Sequence, residues 1–464
     1  MSFVTYDLIF LGLFIIFVII FLSTRKKNLT RQGIIYLYKT QLGIKFIDSF
    51  SKRFEKILRP LQYVVIACGY MLTLSVLWYY GRSVYLYLTT PLANLISAPP
   101  VAPLIPYFPK LFGLESIFPP LYFTYFIIII GVVAVSHEFS HGIFAKIHGF
   151  KIHSTGFAFL GPILGAFVEP DEKQMNKAKK IPQLSVLAAG TFANILMTIL
   201  FGLIFWLFFS SFFVPAGVKF NTYALAGLNV SSITFVGNET IRDNLVQVSA
   251  GGKNYFTDSD ALKKVINGKV RDIIAYEDSP AFRAQLIGAI IEIDGEKVVS
   301  QSDLSRVLQN HKPGDKLKIK TAVLENGRDS ESAEKDYEIV LGEKDGKTFL
   351  GIGFFPVSNS GLVGIVYNYT FAKIKTPAVY YKSNIGEFGW FIYYLIWWMI
   401  IINLLVALFN MLPLGILDGG RFFYLTVWGI TGSEKVGKKA YSLITWILLA
   451  SLVLLMIRWG MRFF

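Results

Sequence analysis

PLYFTYFIIIIGVVAVSHEFSHGIFAKI, residues 120–147, is an apolar stretch that carries two histidines and a glutamate in its second half. It exceeds the roughly 20 residues that a helix needs to cross ~30 Å of hydrocarbon, so it reads as a membrane span. Residues four apart share a helix face, so His137 and His141 can offer two imidazoles to one metal ion. Glu138 lies beside them, where a carboxylate can take a proton from a water held at that metal. On a soluble helix the same residues would read as a solvated polar face. Inside an apolar span they are costly for stability, which marks them as functional.

Apolar runs of comparable length recur at 3–23, 61–81, 183–213, 388–412 and 438–458. Of the 464 residues 53% are hydrophobic and 16% charged, against about 25% charged in a typical soluble protein, so much of this surface faces lipid. In a soluble protein the net charge of +14 would suggest a nucleic-acid partner. Here the lysines and arginines gather in loops beside apolar runs, at 25–59, 171–180 and 433–439. They make the lipid bilayer, and no nucleic acid, the expected partner. All three loops fall on one side if six spans alternate, and the positive-inside rule makes that side the cytoplasm. Both ends of the chain and the segment 214–380 are then expected outside. The run 3–23 lacks a signal-peptide cleavage site and reads as a retained span. A single cysteine, Cys68, rules out an intrachain disulfide and a cysteine metal cluster.

Two histidines and a water leave one protein ligand to find. His148 shares the face of His137 but stands about 10 Å beyond His141 at ~1.5 Å per residue; it and His153 read as interfacial. Glu169 and Glu172 are open alternatives within a charged loop. Asp418 is the better candidate. It lies in NMLPLGILDGG (410–420) at the end of the fifth run, where Pro413, Gly415, Gly419 and Gly420 break the helix and free backbone groups. A carboxylate there needs a partner, and a metal supplies one; the plain alternative is a solvated aspartate in a cytoplasmic turn. The apolar, Gly-rich stretch KIHSTGFAFLGPILGAFVE (151–169) is too short to span and reads as a re-entrant hairpin.

HEFSH at 137–141 and NMLPLGILDGG at 410–420, in that order and each on its own span, resemble the motifs of the site-2 proteases, a family of intramembrane zinc metalloproteases. GTFAN at 190–194, in the fourth run, is similar to that family's small-residue and asparagine element. The resemblance covers spans three to five. It implies one Zn²⁺ per chain bound by His137, His141 and Asp418, with Glu138 activating the water. It further implies that Asn194 and Asn410 lie beside the cleft and orient substrate or site. Two positions depart from the pattern: Arg421 stands where many members have histidine, and Gly415 replaces a second proline.

Within the inserted segment, SPAFRAQLIG (279–288) resembles the turn and helix of a PDZ domain. IIEIDGEKV (290–298) alternates like a strand around an Asp-Gly turn, 303–309 reads as helix, and KPGDKLKIK (312–320) as a turn entering a strand. Ala289 stands where an acidic residue is usual. PDZ domains bind extended peptides by strand addition, so peptide or ectodomain contacts are expected here.

The expected fold is thus an α-helical multi-pass membrane protein of about six spans with an inserted extracytoplasmic β-rich PDZ-like domain. Its parts are 1–118 (N-terminal spans and basic cytoplasmic loop), 119–213 and 357–430 (the two halves of the catalytic membrane core), 214–269 (unassigned), 270–356 (PDZ-like) and 431–464 (last span). The expected function is zinc-dependent endoproteolysis of single-span membrane proteins, regulated intramembrane proteolysis, in the cell membrane with the active site nearer the cytoplasm. Two alternatives stand beside it: trimming of soluble or prenylated substrates at the bilayer face, and a non-catalytic PDZ scaffold. The Asp-Gly-Gly motif opposes the first, the intact Glu138 the second.

Overall fold

The computed structural model describes residues 3–33, 35–90, 99–100, 103–115, 118–161, 163–242, 244–266, 272–323, 333–354, 375–376 and 378–461. The chain divides into two compact units, 1–205 with 392–464, and 206–391. Its helices are α1 (Phe3–Thr24), α2 (Ile44–Arg53), α3 (Glu55–Thr89), α4 (Phe108–Leu111), α5 (Phe123–Ile147), α6 (Glu172–Lys177), α7 (Lys180–Phe212), α8 (Ser259–Ile266), α9 (Pro280–Arg283), α10 (Gln301–Gln309), α11 (Gly386–Asn410), α12 (Asp418–Thr431) and α13 (Glu434–Gly460). Among the described residues six are long and apolar enough to cross a membrane, namely α1, α3, α5, α7, α11 and α13. Each falls on one of the six apolar runs. The short helices α2 and α12 lay hidden in segments dominated by lysine or glycine.

In the first unit, a four-stranded antiparallel sheet runs in the order β1 (Leu29–Gln32), β2 (Ile35–Thr40), β3 (Ile152–Leu160), β4 (Ile163–Pro170). The stretch 151–169 is therefore a hairpin, as its glycines suggest. Its outer partners come from 29–40, which reads in sequence only as part of a basic loop. Pairing β3 with β2 satisfies the backbone groups that one flank of an isolated hairpin would leave bare. The opposite flank is β4, an edge strand among the described residues. The largest buried cluster of this unit joins Ile47 of α2, Val65 of α3, Phe144 and Ala145 of α5, Ala188 of α7 and Phe422 of α12. Small residues at such contacts let helix backbones approach closely.

One anchor of this bundle was not foreseen. Asp7, in the middle of an apolar run, is buried, and its carboxylate accepts four hydrogen bonds. The donors are the N–H groups of Phe123 and Thr124 at 2.8 Å each, and the hydroxyls of Thr124 and Tyr107 at 2.6 Å each. Phe123 and Thr124 open α5, where backbone N–H groups have no partner inside the helix. A carboxylate there also complements the positive end of the helix dipole. Thus α1 caps the helix that carries HEFSH. Burial, and then the Asp7 charge, push the Tyr107 phenol above its usual pKa, so it remains a donor.

The second unit is built from β5 (Phe213–Lys219), β6 (Thr222–Tyr223), β7 (Leu225–Asn229), β8 (Ile233–Arg242), β9 (Leu245–Ala250), β10 (Lys253–Asp258), β11 (Asp272–Glu277), β12 (Ala289–Ile293), β13 (Glu296–Lys297), β14 (Lys316–Ala322), β15 (Glu334–Val340), β16 (Gly342–Lys344), β17 (Lys347–Phe349), β18 (Ile352–Gly353) and β19 (Val379–Ser383). A five-stranded sheet runs β7-β11-β10-β9-β8, and a second runs β15-β14-β12-β5-β19 with β13 paired to β12. Each has its own buried core: Leu228, Val246, Val248 and Ile273 in the first, Leu286, Ile290, Ile293, Leu317 and Ile339 in the second. The turn between β12 and β13 places Asp294 and Gly295 at φ 48° and 85°, the left-handed pair of a type I′ hairpin.

β11, within 270–356, pairs with β7 and β10 and so shares the sheet of 225–258. β5 and β19, from outside 270–356, complete the second sheet. Alternation marks a segment as a strand, but not which sheet receives it.

Replacing Asp7 with alanine removes the α5 cap and strands the Tyr107 hydroxyl. A lost cap costs about 1 kcal/mol and a buried unpaired donor about 1–3 kcal/mol. Asp7→Ala should therefore lose about 2–4 kcal/mol, read as a lower unfolding temperature in detergent. An unchanged temperature would show that the cap contributes nothing.

Candidate metal centre

Three apolar elements converge on HEFSH. α5 presents His137 and His141 from one face, both buried. α7 passes alongside with Gly190 and Asn194, and α12 begins at Asp418. Asp418 sits in the first turn of α12, where the helix dipole favours a carboxylate. The return of the chain after α11 depends on Gly419: a Cβ there would lie 2.3 Å from the carbonyl carbon of Met411. Only a glycine lets the start of α12 fold back against the end of α11.

His137 Nε2 and His141 Nε2 are 3.1 Å apart, and Asp418 Oδ2 lies 3.2 Å from the first and 3.4 Å from the second. Ligands about 2.0–2.1 Å from a tetrahedral zinc stand roughly 3.3 Å from one another, so this triangle has the edges that such an ion requires. Three protein ligands is also the number found in catalytic zinc sites, the fourth place being for water or substrate. Two imidazoles and a carboxylate are also the donor types that zinc takes.

The outer atoms of the two rings are held as well. His141 Nδ1 donates to the carbonyl of Val186 at 2.6 Å, leaving Nε2 as the lone-pair nitrogen. His137 Nδ1 faces the Asn194 amide at 3.0 Å. With Nε2 on a metal, Nδ1 carries the ring proton and must donate, so the amide turns its Oδ1 to the ring. That turn gives the Asn194 Oδ1, buried and otherwise without a partner, a donor. Such partners set ring orientation and ligand basicity. Gly190 makes the approach possible: a Cβ there would fall 2.4 Å from His141 Nε2 and 2.6 Å from His137 Nε2.

Glu138 stands close to the triangle: His137, Glu138 and His141 offer ligand atoms that lie within 4.8 Å of one another. Its Oε2 accepts the backbone N–H of Val168 on β4 at 3.0 Å. Asn410, the last residue of α11, brings its Nδ2 to 3.5 Å from His137 Nε2, close to the ligand triangle. The structure thus gathers all six residues singled out in sequence. It adds three others: Gly190 as spacer, the Val186 carbonyl and the Val168 N–H. The two backbone groups carry no sequence signal, because any residue could supply them.

The remaining candidates are engaged elsewhere. Lys39, 2.7 Å from Glu169, and the Ser154 hydroxyl hold the Glu169 carboxyl below its usual pKa. Glu172 opens α6. His148 ends α5 and contacts the Ser185 hydroxyl at 2.9 Å, and His153 pairs with Asp171 at 3.3 Å. Arg421 donates to Asn176 at 2.6 Å and Gln183 at 3.0 Å, tying α12 to α6 and α7.

Comparison with known proteins agrees with this geometry. The profile of Peptidase family M50 matches residues 125–455. An uncharacterized protein of Methanocaldococcus jannaschii is 30% identical over 191 residues, 39% of this chain. The match spans 46% of that relative's length.

Metal content tests the geometry without reference to activity. Asp418→Ala should lose bound zinc, as should Gly190→Ala, whose methyl group occupies the space of the histidine nitrogens. Asn194→Ala should weaken zinc about 10–100-fold, the usual cost of losing a partner of a ligating histidine. Full zinc in purified Asp418→Ala would assign the third ligand elsewhere.

Proposed function

The chain belongs to peptidase family M50, a family of membrane metalloproteases that are in general zinc-dependent, and from that premise we propose that it is an intramembrane endopeptidase cleaving the transmembrane segments of single-span proteins. The observation that carries this reading is the convergence of two histidines, one aspartate and one unligated glutamate between helices long and apolar enough to span a bilayer.

His137, His141 and Asp418 would hold one zinc ion, whose chemistry is to lower the pKa of a water to about 7 and to polarise a carbonyl. The rest falls to the chain's own groups. Glu138 accepts the proton of the attacking water and delivers it to the leaving amine, and the Val168 N–H holds one of its oxygens in position meanwhile. The Asn410 amide, a donor beside the ligand triangle, is placed to hold the substrate carbonyl as negative charge develops on it.

A peptide bond inside a helix is shielded from attack, so the substrate must unwind locally. The outer edge of β4 suits an unwound segment. In an antiparallel strand, groups pointing to one flank alternate. Since the Val168 N–H points outward to Glu138, those of Ala166 and Leu164 point the same way. His141 stands about 9 Å before the end of α5 at ~1.5 Å per residue, which supports a reading with the chemistry inside the bilayer. By the positive-inside reading this end is cytoplasmic, the unit 206–391 is extracytoplasmic, and its PDZ-like part meets the ectodomain or a freed peptide end of the substrate.

Glu138→Gln keeps the side chain's shape but cannot accept a proton. It should reduce cleavage by about 10²–10⁴-fold with zinc near one per chain; activity within tenfold of wild type would place the base elsewhere. Topology has its own readout. In a Cys68→Ala background, cysteines at Lys52 and Lys173 should react with membrane-impermeant reagents from the cytoplasm, and one at Lys253 from outside. The reverse pattern would invert the orientation.

A further inference from the structure

We propose that the wall beside Glu138 forms a side-chain subsite for one leucine- or phenylalanine-sized residue flanking the scissile bond, so that this chain selects its cleavage position by residue size. The inference rests on the proteolytic reading above and adds to it which residue the enzyme measures. A cavity of about 160 Å³ lies between α5 and the four-stranded sheet, lined among others by Leu42, Ile47, Val135, Phe139 and Phe157, with Glu138 in its wall. Two threonines also border it, and both hydroxyls are spent: Thr155 donates to the Leu42 carbonyl, and Thr40 to the Thr155 carbonyl at 3.2 Å. Glu138 is thus the one charged group facing an otherwise apolar hollow.

Size and position identify the occupant. Pockets for drug-sized ligands run to about 300–1,000 Å³, whereas an apolar cavity of about 150 Å³ takes a benzene-sized group. The hollow therefore fits one side chain. Val168 connects it to the chemistry, because the residue belongs to the lining and its N–H donates to Glu138. A peptide laid along the outer edge of β4 sends alternate side chains to opposite faces of the sheet. One of those next to the bond attacked at Glu138 therefore enters the hollow.

The selecting wall also has a distinct origin. Thr40, Leu42, Gly43 and Ile47 precede residue 125, where the match to the family begins. They come from the end of β2, the loop that follows it and α2, so part of the hollow's wall lies outside the residues that the family profile matches, while Val135, Phe157 and Ala166 lie within them.

The test uses the full-length, zinc-loaded protein and a single-span substrate whose cleavage Glu138→Gln abolishes. Glycine, leucine, phenylalanine and tryptophan are placed in turn at each of the three positions on either side of the cleaved bond. One methylene in an apolar pocket is worth about 10–200-fold in kcat/KM. At one position, leucine and phenylalanine should therefore exceed both glycine and tryptophan by at least tenfold. Filling the hollow from the sheet (Ala166→Leu) or from the half-exposed helix face (Val135→Phe) should reverse the order of phenylalanine and glycine at that position. Opening it (Phe157→Ala) should admit tryptophan. Two variants on different elements protect against one failing to fold, and zinc content reports folding. A flat size profile with Glu138-dependent cleavage intact would overturn the subsite alone. Equal slowing of all substrates by both filling variants would make the hollow a lipid acyl slot and overturn it too. Absence of any Glu138-dependent cleavage by wild type would overturn the proteolytic reading, and the subsite with it.

Discussion

Ionisable groups buried among apolar helices must find partners, and in this protein they find one another. His137, His141 and Asp418 bring three ligand atoms within 3.4 Å from two elements far apart in sequence. Leaving any of them unpaired in such surroundings would cost far more than a surface mismatch. The local packing follows from that requirement. Gly190 is bare because the imidazoles need its space, Gly419 is bare because Asp418 must return to them, and Ala188 and Ala189 precede Gly190 on α7.

The same accounting explains the irregular backbone. Extended chain must satisfy its N–H and C=O groups wherever it is buried. The hairpin β3–β4 does so on one flank by pairing with β2, which pairs in turn with β1. On the other flank the Val168 N–H is given to Glu138. One strand thus satisfies its own backbone and holds a carboxylate in place. At the far end of α5, Asp7 meets a similar obligation by taking the first free N–H groups of the helix. An acid in a first apolar span looks anomalous until the four donors around it are seen.

Much of this was legible in sequence because membrane helices announce themselves by length and composition. All six spans, the HEFSH face and the break at Pro413–Gly420 follow from local pattern, and so does the hairpin at 151–169. The strands at 29–40 did not stand out, since two short alternating stretches among many lysines resemble any basic loop. In the inserted segment, the Asp294-Gly295 hairpin and a helix over 303–309, which begins at Gln301 in the structure, were readable from turn and helix signals. The division into two sheets was not, because β11 and β5 each pair with strands distant in the chain.

By itself the sequence determined which side chains could meet at a metal in an apolar setting. The spacing of two histidines and a glutamate on one apolar helix, with an aspartate in a broken one, leaves little else for those residues to do. Only the tertiary structure decided how those side chains are held and what surrounds them. It alone brought the Val186 carbonyl to His141, the Val168 N–H to Glu138 and the side chains of β2 and α2 around the hollow beside the base. The reason is physical. Ligand identity resides in side chains, which the sequence spells out, whereas orientation and selectivity come from backbone groups and packed surfaces that exist only once distant segments meet.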